Sequence, residues 1–161
     1  MAAATLRAPE VLAQLEEWGT AQNRKVYARH GVGENQFGVS YANLGKLAKR
    51  IKRDHELALE LWASGNHDAR VLALMVADPA QGNSRLLDGW VKELDNGVIA
   101  DAFARYVAAT PQALAKMKKW TAARGEWTAR AGWVVLAVLA VQDKNPSEEF
   151  YAEFLQTIED Q

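Results

Sequence analysis

The sequence predicts an all-α fold, a stack of antiparallel helix pairs in one domain spanning residues 1–161. Three observations carry that expectation. Apolar residues recur at helical spacing nearly everywhere, and no stretch shows the period-two alternation of a strand. Capping residues and Gly or Pro breaks divide the chain into ten short segments. Segment starts then recur at intervals of about thirty residues, as expected of units that bury their faces only by stacking.

The elements follow in order. Pro9 suits the first turn of a helix that carries Val11, Leu12, Leu15 and Trp18 on one stripe. Residues 23–30 read as a second helix ending at Gly31, and the Gly- and Asn-containing stretch to Gly38 reads as a loop. Ser40 caps a helix with Leu44, Leu47, Ala48 and Ile51 inward. Asp54 caps the next, with Leu57, Ala58, Leu61 and Trp62 on one side and Gly65 past its end. Asn66 opens a helix closed by Asp78-Pro79, Ser84 opens one carrying Leu87 and Trp90, and Asn96 opens one carrying Ile99, Phe103 and Val107. Thr110-Pro111 reads as a cap followed by a first-turn proline, ahead of Leu114 and Met117. Residues 126–142 are apolar nearly all round, which predicts a central, fully buried helix. Asn145-Pro146 restarts the chain for a tenth helix with Phe150, Phe154 and Leu155. No room is left for a sheet.

Asn66, Asn96 or Gly97, and Glu126 open helices about thirty residues apart, with another helix between each pair. This is shorter than the roughly 40–47 residues of HEAT or armadillo units, so the units are HEAT-like. Equivalent positions line up in such a stack. Arg70, Asp101 and Arg130 each lie four residues beyond their helix start, which predicts a row across three neighbouring units. A salt-bridge ladder joining the repeats and a functional row both fit that arrangement. The preceding unit does not extend it, because Leu44 follows Ser40 at the same offset.

Composition sets the function classes. The chain has 161 residues, 49% hydrophobic and 24% charged, and no cysteine, which excludes disulfides, thiol nucleophiles and thiolate metal sites. The N-terminus lacks the pattern of a signal peptide, and the longest apolar run falls short of the roughly 20 residues that span a bilayer. A cytoplasmic protein without membrane contact is the expectation. A net charge of −1 hides a segregation. Residues 24–53 carry eight Lys/Arg and one acid, residues 105–130 six Lys/Arg and one acid, and residues 143–160 six acids and one lysine. Local potential matters more to a polyanion than net charge does.

The basic helix with Lys46, Lys49, Arg50, Lys52 and Arg53, aided by Arg24, Lys25 and Arg29, is the first candidate for phosphate contact. Lys116, Lys118, Lys119 and Arg124 form a second. A solvated helix face explains such runs equally well. Trp62 and Trp90 sit on apolar stripes and read as core, and Tyr27, beside Lys25 and Arg29, is a candidate cleft aromatic. Trp127, three residues before Arg130, is either another or packing between repeats, the reading preferred for it. His30, His55 and His67 have no second ligand at metal spacing, so no metal site is expected. Gly31–Gly33 lacks the strand and lysine of a phosphate loop. Asp68 and Asp101 differ by one residue from equivalence and should not act as a pair.

One resemblance is specific. FGVSYANLGKLAKRIKRDHELALELWASGNHDARVLALMVADP (37–79), WVKELDNGVIADAF (90–103) and EWTARAGWVVLAVLAVQDKNPSEEFYAEFL (126–155) resemble the bacterial alkylpurine DNA glycosylases built of HEAT-like repeats, the AlkD type of the DNA alkylation repair family. The resemblance covers about three quarters of the chain in the right order. It implies a right-handed α-solenoid whose concave, basic face grips duplex DNA and excises cationic N3- or N7-alkylated purines. Such a base is already a cationic leaving group, so neither a general acid nor a cofactor is implied. A fixed carboxylate stabilises the charge developing on the deoxyribose, aromatic faces add cation–π attraction, and an arginine holds a phosphate. Carried onto this chain, the carboxylate is Asp101 and the arginine is Arg130, within the Arg-Ala-Gly-aromatic pattern.

Two departures accompany it. The family motif has a tryptophan four residues before the carboxylate, where this chain has Gly97. A second cleft aromatic belongs to a C-terminal repeat that this sequence, ending at Gln161, does not contain. The expectation is a protein of the alkylation-repair superfamily that binds duplex DNA, with excision depending on Asp101. The alternative is a noncatalytic helical-repeat scaffold that binds another protein.

Overall fold

The computed structural model describes residues 6–142, and among them it contains nine α-helices, one 3₁₀ turn and no strand. The helices are α1 (Ala8–Trp18), α2 (Ala21–Arg29), α3 (Tyr41–Ile51), α4 (His55–Ala63), α5 (His67–Val76), α6 (Ser84–Val91), α7 (Gly97–Ala108), α8 (Ala113–Thr121) and α9 (Glu126–Val141). The 3₁₀ turn is Pro79–Gln81. The tenth helix expected after Asn145 and the acidic segment 143–160 lie outside the described residues.

Local chemistry starts most of these helices. Ser40, Asp54, Asn66 and Asn96 each accept the backbone N–H three residues on, at 3.0–3.2 Å. A cap of this kind contributes about 1 kcal/mol. Three starts differ from expectation. Thr20 caps α2 two residues earlier than read, through the N–H of Asn23. Asn83 rather than Ser84 caps α6. Thr110 closes α7 by donating to the Val107 carbonyl, so Pro111 falls in a turn and α8 begins at Ala113.

Packing gives two layers. α3, α5, α7 and α9 lie side by side, α4 packs on α5, and α8 packs on α9. Trp62 of α4 stacks on Trp90 of α6 with centroids 4.4 Å apart, and Phe103 of α7 meets Trp120 of α8 at 5.5 Å. Such pairs add about 0.5–1.5 kcal/mol beyond their burial. The fold is the expected α-solenoid of HEAT-like helix pairs.

Helix α9 corrects one expectation. Only Ala131, Gly132, Val135 and Leu139 are buried, while Trp133, Val134, Leu136 and Val138 are half-buried and Ala137 and Ala140 exposed. Apolar composition all round is not burial all round: among the described residues, α7 and α8 cover one side of it. The close side is set by Gly132, where an added Cβ would lie 2.6 Å from the Thr121 nitrogen. The glycine of the Arg-Ala-Gly-aromatic pattern thus lets α9 press on the end of α8 and places Arg130 over α7.

Candidate nucleic-acid interface

Asn96 fixes the start of α7: its side chain is buried, caps the Ile99 N–H and donates to Asp95. One turn in, Asp101 meets Arg130 from α9. Arg130 donates Nε–H to Oδ1 at 2.8 Å and Nη2–H to Oδ2 at 2.9 Å, a two-pronged fork. The hydrogen bonds it donates to Asp101 raise the arginine's already high pKa further. The Arg130 side chain is 48% exposed and that of Asp101 30% exposed, so the pair remains open to water and ligands.

Gly97 makes this geometry possible. A Cβ there would lie 2.9 Å from Cζ and Nη1 of Arg130 and 3.2 Å from Nη2. A side chain at 97 requires the Arg130 guanidinium, the far end of a flexible side chain, to move from this position. The guanidinium therefore occupies the space beside the position where the family motif carries its tryptophan.

Gly97, Asp101 and Arg105 follow one another at one-turn spacing on α7. Arg105 is exposed. Tyr41, 45% exposed at the start of α3, has its hydroxyl pKa raised, chiefly by desolvation, while Arg105 lowers it and Asp101 raises it. Tyr41, Asp101 and Arg105 thus share one neighbourhood. Tyr41 and Arg105 were not singled out by sequence reasoning, because an exposed tyrosine next to a cap carries no local signature.

The other expected residues divide. The row does not run through Arg70, which turns away from Asp101. Its Nε–H donates to the Trp62 carbonyl and its Nη2 to Glu93, while the guanidinium lies 4.8 Å from the Trp62 ring centroid. Its side chain is only 15% exposed, so Arg70 ties α5 to α4 and the end of α6. Lys116 is buried and bound to Asp88 at 2.8 Å and Ser84 at 2.6 Å, and Lys119 shares Asp88. That patch joins α8 to α6, and Lys116 is not open to a phosphate. Arg53 donates to the Ala77 carbonyl. Lys46, Lys49 and Arg50 are exposed on α3, and Lys25 and Arg29 on α2.

Neither candidate cleft aromatic is free-standing. The Tyr27 hydroxyl donates to the Val39 carbonyl at 2.6 Å and its ring tilts against His67, with burial pushing its pKa up to about 12. Trp127 is half-buried against the core. Asp68 is fully buried and accepts the N–H groups of Phe37, Gly38 and Val39, holding the loop that enters α3. Among the described residues no group of three or more acidic or histidine side chains is placed to hold a metal, and no helix is long and apolar enough to cross a membrane.

The profile of the family described as "DNA alkylation repair enzyme" matches residues 11–161. The chain belongs to this family. A solved protein, described as one of "a new family of proteins related to the HEAT-like repeat DNA glycosylases with affinity for branched DNA structures", superposes with a TM-score of 0.91 at 29% identity. That likeness covers 96% of this chain and 67% of the other. The "Uncharacterized protein Lin0241" of Listeria innocua is 26% identical over 117 residues, 69% of this chain. The chain spans about half the length of that relative, since the match covers 52% of it. This family member thus combines the repeat architecture with a Gly97–Asp101–Arg130 arrangement in which the carboxylate is paired with its own arginine.

Proposed function

We propose that the protein binds DNA on the α3–α5–α7–α9 layer, with Arg130 as its phosphate anchor and a preference for branched over intact duplex. One observation carries this reading: the Arg130–Asp101 fork is half-open to its surroundings. An ion pair this exposed contributes about 0–1 kcal/mol. A phosphate offers the same fork a bidentate acceptor and releases counterions as it binds. It therefore competes effectively with Asp101. The exposed cations of α3, Lys46, Lys49 and Arg50, extend the positive surface. The branched-DNA affinity of the 29% identical solved protein supports the choice of ligand.

Excision of alkylpurines is a second reading, favoured because a phosphate that takes Arg130 leaves the Asp101 carboxylate free. Gly97 weighs against it: no aromatic wall stands at that position to hold a damaged nucleotide against the carboxylate.

Fluorescence anisotropy of duplex and four-way branched DNA at two salt concentrations tests the first reading. Arg130→Ala should weaken binding about tenfold and reduce the salt slope by about one. Absence of binding at low salt overturns the reading. Release of 7-methylguanine from methylated duplex, abolished by Asp101→Asn, would establish excision; no release leaves DNA binding as the function.

A further inference from the structure

A pocket of about 300 Å³ opens between α3, α5 and α7, lined in part by Ala102 and Arg105 of the helix that carries Asp101. Its floor is apolar, made by Val71, Leu74 and Met75 of α5 and by Ala102, the residue after Asp101. Tyr41 and Tyr106 present rings at its sides, and Arg53 and Arg105 line it with guanidinium groups. Both rings and both arginines are held differently. Tyr106 is buried, its hydroxyl tied to the Asp78 carbonyl at 3.0 Å, whereas Tyr41 is 45% exposed. Arg53 is pinned by the Ala77 carbonyl at 2.9 Å, and Arg105 is exposed.

An apolar floor, aromatic walls and two positive charges match a flat, uncharged ring system attached to a phosphodiester. The volume lies at the small end of ligand pockets, which run from roughly 300 to 1,000 Å³. A single nucleobase is the natural occupant, and stacking on aromatic rings tolerates any base because every base has a π-face. We propose that this pocket receives one unstacked nucleotide of a DNA branch, its base between Tyr41 and the α5 floor and its phosphate on Arg53 and Arg105. The proposal rests on the DNA-binding reading above and supplies its selectivity. Extracting a base from intact duplex costs unstacking energy, least where the base is already unpaired. A branch that carries unpaired nucleotides at its centre offers such a base without the protein's help. A pocket that needs such a nucleotide therefore discriminates branches from duplex without reading sequence, while Arg130 holds backbone common to both.

The test pairs a protein change with a DNA change. Anisotropy titrations compare intact duplex, a three-way branch with unpaired thymidines at the branch point, and the same branch with abasic spacers in place of those thymidines. For the unmodified protein, base removal should weaken branch binding about tenfold, the loss of one stack. Ala102→Phe fills the pocket and should bring branch affinity down to that of the abasic branch, with no further loss on base removal. Arg105→Ala, at an exposed position that carries no fold risk, should weaken branch more than duplex. Equal affinity of the unmodified protein for the thymidine and abasic branches, or an unaltered branch preference in both variants, overturns the pocket while leaving DNA binding intact. Loss of all DNA binding by the unmodified protein overturns the underlying reading instead.

Discussion

Two of the ion pairs between helices of this solenoid behave as opposites. Between α6 and α8, Lys116 bonds Asp88 and Ser84 with 6% of its side chain exposed. Between α7 and α9, Arg130 bonds Asp101 with 48% of its side chain exposed. Both arise from residues in the same basic block of sequence. Burial decides which charge belongs to the fold and which is available to a ligand. A buried lysine stripped of its partner has no water to turn to, so its pair is maintained. A half-exposed arginine exchanges one acceptor for another at little cost.

The sharpest break in that comparison is Lys116→Ala. It leaves the Asp88 carboxylate and the Ser84 hydroxyl without their shared donor, and should lower stability by about 2 kcal/mol in urea denaturation. DNA affinity of the folded variant should stay unchanged. A matching drop in affinity would return Lys116 to the interface.

A smaller effect separates the second pair. Gly97→Trp drives the Arg130 guanidinium off Asp101 by direct collision. In the natural background Asp101→Asn should cost about 0.5–1 kcal/mol; in the Gly97→Trp background it should cost nothing more, which a double-mutant cycle reads directly. Equal costs in both backgrounds would mean that the fork survives the tryptophan.

The smallest effect concerns pH. Burial pushes the His67 pKa below its ordinary 6.5, outweighing the nearby Asp68 and Asp95 charges that raise it and joined by Arg70, which lowers it. The folded state thus resists a proton that the unfolded chain accepts. Stability should be full above pH 6.5 and decline as pH falls below it, with His67→Gln flattening that slope in thermal melts. Asp88, whose carboxyl is lowered chiefly by the hydrogen bond from Lys116, contributes in a separate window: its stabilisation is lost only as pH falls below the ordinary 3.8.

Much of the architecture was legible because it follows from rules that act within a few residues. Ser40, Asp54, Asn66 and Asn96 cap helices wherever a short polar side chain precedes an apolar stripe. The thirty-residue repeat brought Asp101 and Arg130 together because equivalent positions in adjacent units are spatial neighbours. The same reasoning failed for Arg70, since the repeat gives its position but not its rotamer. Glu93, 23 residues away, and the Trp62 ring outcompete Asp101 for it. Thr110-Pro111 misled for a similar reason: the Thr110 hydroxyl donates to the Val107 carbonyl of the preceding helix and accepts the Gln112 N–H in the turn, so α8 starts later, at Ala113.

The sequence by itself determined the helices and their period, because hydrogen bonds and side-chain spacing within a helix are local, and it set Asp101 and Arg130 at equivalent positions of adjacent units. Only the tertiary structure decided which charges are free, that α9 is covered on one side, and that Tyr41, Arg53 and Arg105 surround one pocket. Exposure and cavity shape depend on what residues distant in sequence place opposite a side chain, and no short-range pattern records that.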